Sequence, residues 1–192
     1  MYEHGISTLM LAEAAEKLEG AGEQRVRGAL DKAVKLILRA QNVEKAGQHR
    51  GGWRYLPTSR DSDLSVTSWQ VLALRAAKDA KCDIPEDNVR KAIDYVKRCA
   101  VDGGGFTYQP GLTTATATRS SFGIVCLEVL GEHHTPESLA AAEFILQNPL
   151  RERPQGQWFF DGSFHCAVSA TWLGGDDAEK IRVHVYQELF QS

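Results

Sequence analysis

The side chains of this sequence that are suited to chemistry fall at or near the starts of predicted helices. Asp61 and Asp63 are separated by one residue and precede an apolar segment that begins at Leu64. A carboxylate at such a position can accept backbone N–H hydrogen bonds and meets the positive end of the helix dipole. Clustered carboxyl groups can also act as general acids, because their neighbours shift their pKa values. The pair is therefore open to a capping and to a catalytic interpretation.

A second set of residues has the composition of a small-molecule site. Its polar and aromatic side chains suit a ligand with an apolar body and a polar head. The members are Tyr2, His4, Trp69, Tyr108, Arg119, Phe122 and His165. Trp69 and Phe122 are equivalent positions of a repeat, so packing in the core is the alternative interpretation for these two. His165 breaks the repeat and is the more informative member.

These residues are positioned by a repeat. The segments GGWRYLP at 51–57 and GGFTYQP at 104–110 share paired glycines, an aromatic residue and a tyrosine before proline. Aromatic pairs with the same internal spacing recur at intervals of 53 and 52 residues: Trp53 with Tyr55, Phe106 with Tyr108, and Trp158 with Phe160. Glycines permit a tight backbone and aromatic rings fill gaps. We therefore predict that each segment is a corner that joins successive helical hairpins.

Between the corners the apolar spacing is helical. The segments that contain Leu30 and Val89 have apolar residues at i, i+3 and i+4 and charged residues on the opposite face. The segments from Ser65 and Ser120 are apolar nearly all round, which predicts inner helices covered on two sides. The sequence predicts an all-α fold of four hairpins, inner helix then outer helix: 4–18 with 24–41, 64–80 with 86–100, 116–131 with 136–147, and 164–173 with 177–190.

Charge and composition exclude several classes of partner. The net charge of −3 over 192 residues, without a basic stripe, argues against nucleic acid and against an anionic membrane surface. No apolar run is long enough to cross a membrane. The four scattered cysteines contain no CxxC pair, which favours reduced thiols and a cytoplasmic location.

The motifs resemble those of one superfamily. Gln41 with Gly52-Trp53, and Gln147 with Gly156-Gln157-Trp158, resemble the QW-type repeats of squalene and hopene cyclases. The stretch RDSDLSVTSWQVLAL resembles the prenyltransferase and squalene-oxidase repeat, and the whole chain looks most like an uncharacterised bacterial branch. The resemblance implies an α/α toroid whose inner helices surround a cavity for an isoprenoid or another apolar guest. Four hairpins predict a partial toroid, with residues 1–192 as one domain of a larger toroid or multidomain protein.

The resemblance also implies roles for individual residues. Hopene-type cyclases carry an Asp-x-Asp-Asp motif at this position, and the match makes Asp63 the general acid with Asp61 beside it, although Leu64 replaces the last carboxyl. Protein prenyltransferases pair an Asp with a Cys two residues later in a zinc site, where this chain has Ser65. Serine is a poor zinc ligand, so no metal is predicted. GAGEQ at 20–24 resembles a thioester motif without its cysteine, which leaves a turn between helices.

Two functions follow as expectations. The first is a repeat domain that binds an isoprenoid, another apolar small molecule or a protein partner on a concave face, with a partner or self-association completing the arc. The alternative is an isoprenoid cyclase of the squalene or hopene type that uses Asp63 as its general acid. No cofactor is expected for either function.

Overall fold

The computed structural model describes residues 1–150 and 159–190. Within these residues the chain forms helices and isolated β-bridges but no strand, which confirms the all-α fold. The eight described helices are α1 Tyr2–Ala15, α2 Gly20–Gln41, α3 Leu64–Asp79, α4 Glu86–Lys97, α5 Ala117–Val129, α6 Pro136–Gln147, α7 Phe159–Leu173 and α8 Gly175–Phe190. None of them is both long and apolar enough to span a lipid bilayer.

Two helices begin four or five residues earlier than the sequence predicted. α2 begins at Gly20, so GAGEQ forms its first turn rather than a separate loop, and Glu23 pairs with Arg27 at 2.8 Å. α7 begins at Phe159 rather than at 164. Phe160 therefore lies in a helix with 78% of its surface exposed, and the prediction that it belongs to a third corner was wrong. Trp158 and the Gly156-Gln157 that precede it lie outside the described residues.

The described helices belong to two units that divide after Tyr95, inside α4. In the first unit α1 packs against α2 and α3, and α2 also contacts α3. In the second unit α5 packs against α6 and α7, α7 packs against α8, and α6 contacts α8. Within each unit, consecutive odd-numbered helices are therefore neighbours, as expected for inner helices. The partial toroid and the single domain stay predictions.

Burial separates the two kinds of helix. In α5, twelve of 13 residues are buried, whereas α2 buries five of its 22 residues along one stripe. The difference follows from composition: α5 has apolar or small residues on every side, while α2 carries lysines and arginines opposite its apolar stripe. α5 is thus the most buried of the described helices, and the corners that precede α3 and α5 hold the candidate site.

Candidate functional site

The first corner is fixed by hydrogen bonds to two helices. Trp53 is 1% exposed, and its indole Nε1 donates to the Ile37 carbonyl oxygen of α2 at 2.8 Å. Its backbone N–H donates to Thr67 Oγ1 of α3 at 3.1 Å. The Asp63 N–H donates to the Trp53 carbonyl oxygen at 2.9 Å. Trp53 therefore ties α2 to the start of α3.

The second corner has the same design. Phe106 is fully buried, and its N–H donates to Ser120 Oγ at 3.1 Å, as that of Trp53 does to Thr67. Phe106 also forms an isolated bridge with Thr116, the position equivalent to Asp63. Thr67 and Ser120 are 53 residues apart, which is the interval of the sequence repeat. The predicted role of the corners as structural joints is confirmed for these two.

Glycines allow each corner to approach the next outer helix. Gly51 has φ +93°, and a Cβ at this position would lie 1.9 Å from the Lys91 carbonyl oxygen of α4. Gly104 has φ +80°, and its Cβ would lie 3.1 Å from the Ala140 carbonyl oxygen of α6. Left-handed φ values of this kind are strained for other residues. The first glycine of each pair is thus required by backbone geometry.

Gln41 connects the first corner to α4. Its Nε2 donates to the carbonyl oxygens of Gly51 at 2.8 Å and of Asn88 at 2.9 Å, and its Oε1 accepts from Asn88 Nδ2 at 2.5 Å. Gln147, the second glutamine of the predicted QW pairs, instead donates to Glu143 of its own helix. In the first predicted QW pair, Gln41 and Trp53 therefore both fix the first corner by hydrogen bonds. In the second pair, Trp158 lies outside the described residues.

Asp63 is the N-cap of α3. Its Oδ1 accepts hydrogen bonds from the Val66 N–H at 2.8 Å and from Ser65 Oγ at 2.7 Å. Its Oδ2 accepts from Arg54 Nη1 at 2.8 Å, and the residue is fully buried. Burial raises the pKa of the Asp63 carboxyl, while the bonds from Val66, Ser65 and Arg54 act in the opposite direction. Both carboxylate oxygens therefore have structural partners.

The equivalent cap in the second corner has no carboxyl group. Thr116 is the N-cap of α5, and its Oγ1 accepts from the Arg119 N–H at 3.2 Å. Threonine performs the same capping role as Asp63 but is no acid at neutral pH. The comparison favours the capping interpretation of Asp63 over the catalytic one.

Each corner carries an arginine above a tyrosine. The Arg54 guanidinium carbon lies 4.5 Å from the centre of the Tyr55 ring, and Arg54 Nε lies 3.3 Å from Asp61 Oδ2. At the second corner the arginine comes from the first turn of α5, and the Arg119 guanidinium carbon lies 5.8 Å from the centre of the Tyr108 ring. Asp61 thus forms an ion pair with Arg54. In the second unit the structure brings together the predicted site residues Tyr108 and Arg119.

The predicted site residues of α1 and α3 form a small cluster in the first unit. The Tyr2 and Trp69 rings have centroids 6.4 Å apart, and both residues are half-buried. His4 Nε2 lies 3.0 Å from the Ala33 carbonyl oxygen, so this imidazole links α1 to α2. Tyr2 and Trp69 stay candidates for ligand contact, while the His4 geometry favours a structural role.

His165 and Phe122 meet in the core of the second unit. The centroids of their rings are 4.4 Å apart with an edge-to-face geometry, and His165 is fully buried. Its Nδ1 lies 2.9 Å from the Asp161 carbonyl oxygen and 3.6 Å from Asp161 Oδ1. Burial lowers the pKa of His165 to about 4, although the bond to Asp161 raises it in part. The imidazole is therefore neutral at pH 7.

The depressed pKa of His165 predicts a pH-dependent stability. In the unfolded chain a histidine titrates near about 6.5, so between that pH and about 4 the unfolded state binds more protons. The free energy of unfolding should therefore decrease as the pH falls through this window, by about 3 kcal/mol. Urea unfolding at several pH values measures the slope, and His165→Gln should remove that part of it. Parallel curves for the two proteins would contradict the prediction.

Two buried charged residues were not anticipated from the sequence. Lys45 is 4% exposed, and its Nζ donates to the Ala40 and Gln41 carbonyl oxygens at the end of α2; burial lowers its pKa to about 8. Glu128 is fully buried and accepts from the His134 N–H at 2.8 Å. A lysine just after a helix end is a recognised capping signal, whereas a glutamate in an apolar run gives no such indication.

No metal centre is assembled by the described residues, which contain no group of three or more His, Cys, Asp or Glu side chains placed to hold an ion. Ser65, at the zinc-ligand position of the resemblance, bonds Asp63 instead. Cys82, Cys99, Cys126 and Cys166 form no disulfide, and burial raises the pKa of Cys166 to about 12. The Cys166 thiol is therefore protonated at neutral pH.

Comparison with protein-family models, with curated proteins and with solved structures finds no match for this chain.

Proposed function

We propose that this chain is a non-catalytic helical-repeat module that binds a protein partner through its corners. The observation that carries the proposal is the equivalence of Asp63 and Thr116. Both are N-caps at the same position of the repeat, and both accept the N–H of the residue three positions later. Because Thr116 caps α5 as Asp63 caps α3, the presence of Asp63 is better explained by helix capping than by acid catalysis.

The exposed part of the corners has the composition of an interface. We define the first corner surface as Arg54, Tyr55 and Leu56, of which Tyr55 is 51% and Leu56 65% exposed. Tyrosine and arginine are the residues most often found at energetic centres of interfaces. The ion pairs from Arg54 to Asp61 and Asp63 hold the guanidinium in place, which lowers the entropy lost on binding.

The second corner surface consists of Tyr108, Leu112 and Arg119, of which Leu112 is 48% exposed. It offers the same three kinds of group, an arginine, an aromatic ring and an aliphatic side chain, in the second unit. A partner with apolar groups matches each surface by chemistry, and an acidic group of the partner matches Arg119 of the second surface.

The proposal is tested with a phage-displayed random peptide library selected on the wild-type protein. We expect enriched peptides to combine apolar and acidic residues, and fluorescence anisotropy should show binding at least about 10-fold weaker to Tyr55→Ala or Tyr108→Ala. Tyr186→Ala is the matched control, because Tyr186 is 65% exposed but lies on α8. Equal loss in the control, or no loss in either corner variant, would refute the corner surfaces.

The alternative is the isoprenoid cyclase with Asp63 as general acid, which the Asp-x-Asp pattern supports. It predicts that incubation with squalene gives a cyclised product, detected by gas chromatography with mass spectrometry. It also predicts that Asp63→Asn abolishes the product while the fold persists, since asparagine is an equally good N-cap. Our proposal predicts no product from either protein.

A further inference from the structure

α1 and α7 have a smaller fraction of buried residues than α5. α7 contains one charged residue, Asp161, and apart from His165 its other residues are apolar or small. Its composition is that of a helix covered on two sides, yet eight of its 15 residues are buried, against twelve of 13 in α5. α1 has a similar apolar content and buries four of its 14 residues. Both helices therefore expose apolar surface.

The exposed apolar residues of α7 lie on one face. Phe160 is 78% and Phe164 47% exposed, and the two recur at i and i+4. His165 and Cys166 point the other way, towards α5, where they contact Phe122 and Ser121. At about 100° per residue the phenylalanines lie on the face opposite to α5. This is the side on which a further inner helix would pack.

α1 presents a partly apolar face in the first unit. Ile6 is 42% and Met10 58% exposed, again at i and i+4, and the exposed Glu3 and Glu13 lie on the same side of the helix. Gly5 and Ala12, on a different face, are buried. The main neighbours of α1 are α2 and α3, so its exposed face is turned away from them. We call Phe160 with Phe164 the α7 face, and Ile6 with Met10 the α1 face.

Packing within the chain shows which kind of helix fits such a face. Consecutive odd-numbered helices are the most extensive neighbours in both units, α1 with α3 and α5 with α7. In the second unit the even-numbered α6 and α8 are neighbours as well. A helical hairpin that follows α7 and α8 would therefore place an odd-numbered helix on the α7 face and an even-numbered helix beside α8. The α1–α2 hairpin of another copy has this construction.

Charge favours the same pairing. α8 carries four acidic residues and two basic ones, and α2 carries five basic residues and two acidic ones. Opposite net charges on the two outer helices attract when they lie side by side, whereas α8 against a second α8 would repel. The charges therefore distinguish a head-to-tail arrangement from a symmetric one.

We propose that this chain associates head to tail with a second copy of itself, the α7 face of one copy packing on the α1 face of the next and α8 lying beside α2. The pairing continues the packing of inner on inner helix and outer on outer helix from one copy to the next. The contact is heterologous, so each copy uses two different surfaces. It is independent of the corner surfaces, whose residues it does not use.

The test is sedimentation velocity on the wild-type protein and on two variants, each with one face disabled. Phe160→Glu/Phe164→Glu disables the α7 face, and Ile6→Glu/Met10→Glu disables the α1 face. We expect concentration-dependent association of the wild type, and each variant alone should associate at least about 30-fold more weakly. A mixture of the two should form a one-to-one complex through the two intact faces. Leu139→Glu, which charges a 42% exposed leucine of α6, is the control and should associate like the wild type.

Four outcomes would overturn the proposal. These are a wild type that stays monomeric up to about 100 μM, a mixture that stays monomeric, an α1-face variant that dimerises like the wild type, or a control that fails like the variants. The third outcome would show symmetric pairing of α7 faces. Circular dichroism checks that each variant is folded. If the α7-face variant is not folded, Phe164→Ser replaces it, and if the α1-face variant is not folded, Met10→Ser replaces it. High salt provides a second measurement, because screening should weaken attraction between α8 and α2.

Discussion

Gly51→Ala should destabilise the first unit by about 4 kcal/mol, which is a large fraction of the stability of a small domain. Two costs combine at this position. The φ of +93° is unfavourable for alanine, and the added methyl carbon would lie 1.9 Å from the Lys91 carbonyl oxygen. That oxygen belongs to the backbone of α4, so relief requires the helix to move. Urea unfolding followed by circular dichroism measures the change.

Two other glycines separate the contributions to this cost. Gly111 has φ +86° with open space around its Cβ position, so Gly111→Ala should cost about 1 kcal/mol, for the backbone conformation alone. Gly47 has open space and no left-handed φ, so Gly47→Ala should be nearly neutral. A Gly51→Ala variant no less stable than Gly111→Ala would show that the corner does not approach α4 as described.

Asp63→Ala should cost about 3 kcal/mol. The substitution removes the N-cap bond to Val66 and the charged bond to Arg54, both at 2.8 Å, in a fully buried position. Loss of a cap costs up to about 2 kcal/mol, and the loss of a charge-assisted bond adds to it. Thermal and urea unfolding measure the sum.

The matched variant for this residue is Asp63→Asn. Asparagine caps a helix as well as aspartate does but carries no charge for Arg54, which keeps its contact with Asp61. We expect a loss of about 1 kcal/mol. If asparagine were as damaging as alanine, the charge rather than the cap would be the main contribution of Asp63.

Much of the fold could be predicted from the sequence because its repeat has a local physical cause. The corner glycines and aromatics, the apolar periodicity and the proline at the start of α6 all act over short distances along the chain. The start of α7 was predicted wrongly because the interval of the repeat was extended past Phe106 to Trp158 and Phe160. The helix begins at Phe159 instead, which places Phe160 inside α7.

Less of the candidate site could be predicted from the sequence. Pairing of Arg119 with Tyr108, and of Phe122 with His165, brings together residues that had been selected only for their type and helix position. The role of Arg54 was missed because its contact with Asp63 depends on the shape of the corner, and not on a spacing that the sequence displays. Tertiary geometry decides such contacts, whereas caps and turns are local.

The most direct test of the central claim is to replace the Asp63 cap by threonine, the residue found at the equivalent position 116. In Asp63→Thr each corner has a threonine cap, and we predict a folded protein that binds the library-selected peptide within about 2-fold of the wild type. Threonine supplies the one acceptor that α3 requires, as it does at Thr116. A folded Asp63→Thr protein that has lost peptide binding would show that the carboxylate is needed to position Arg54 as well as to cap α3. A squalene-cyclising activity of the wild type that disappears in this folded variant would contradict the claim that Asp63 is a structural cap.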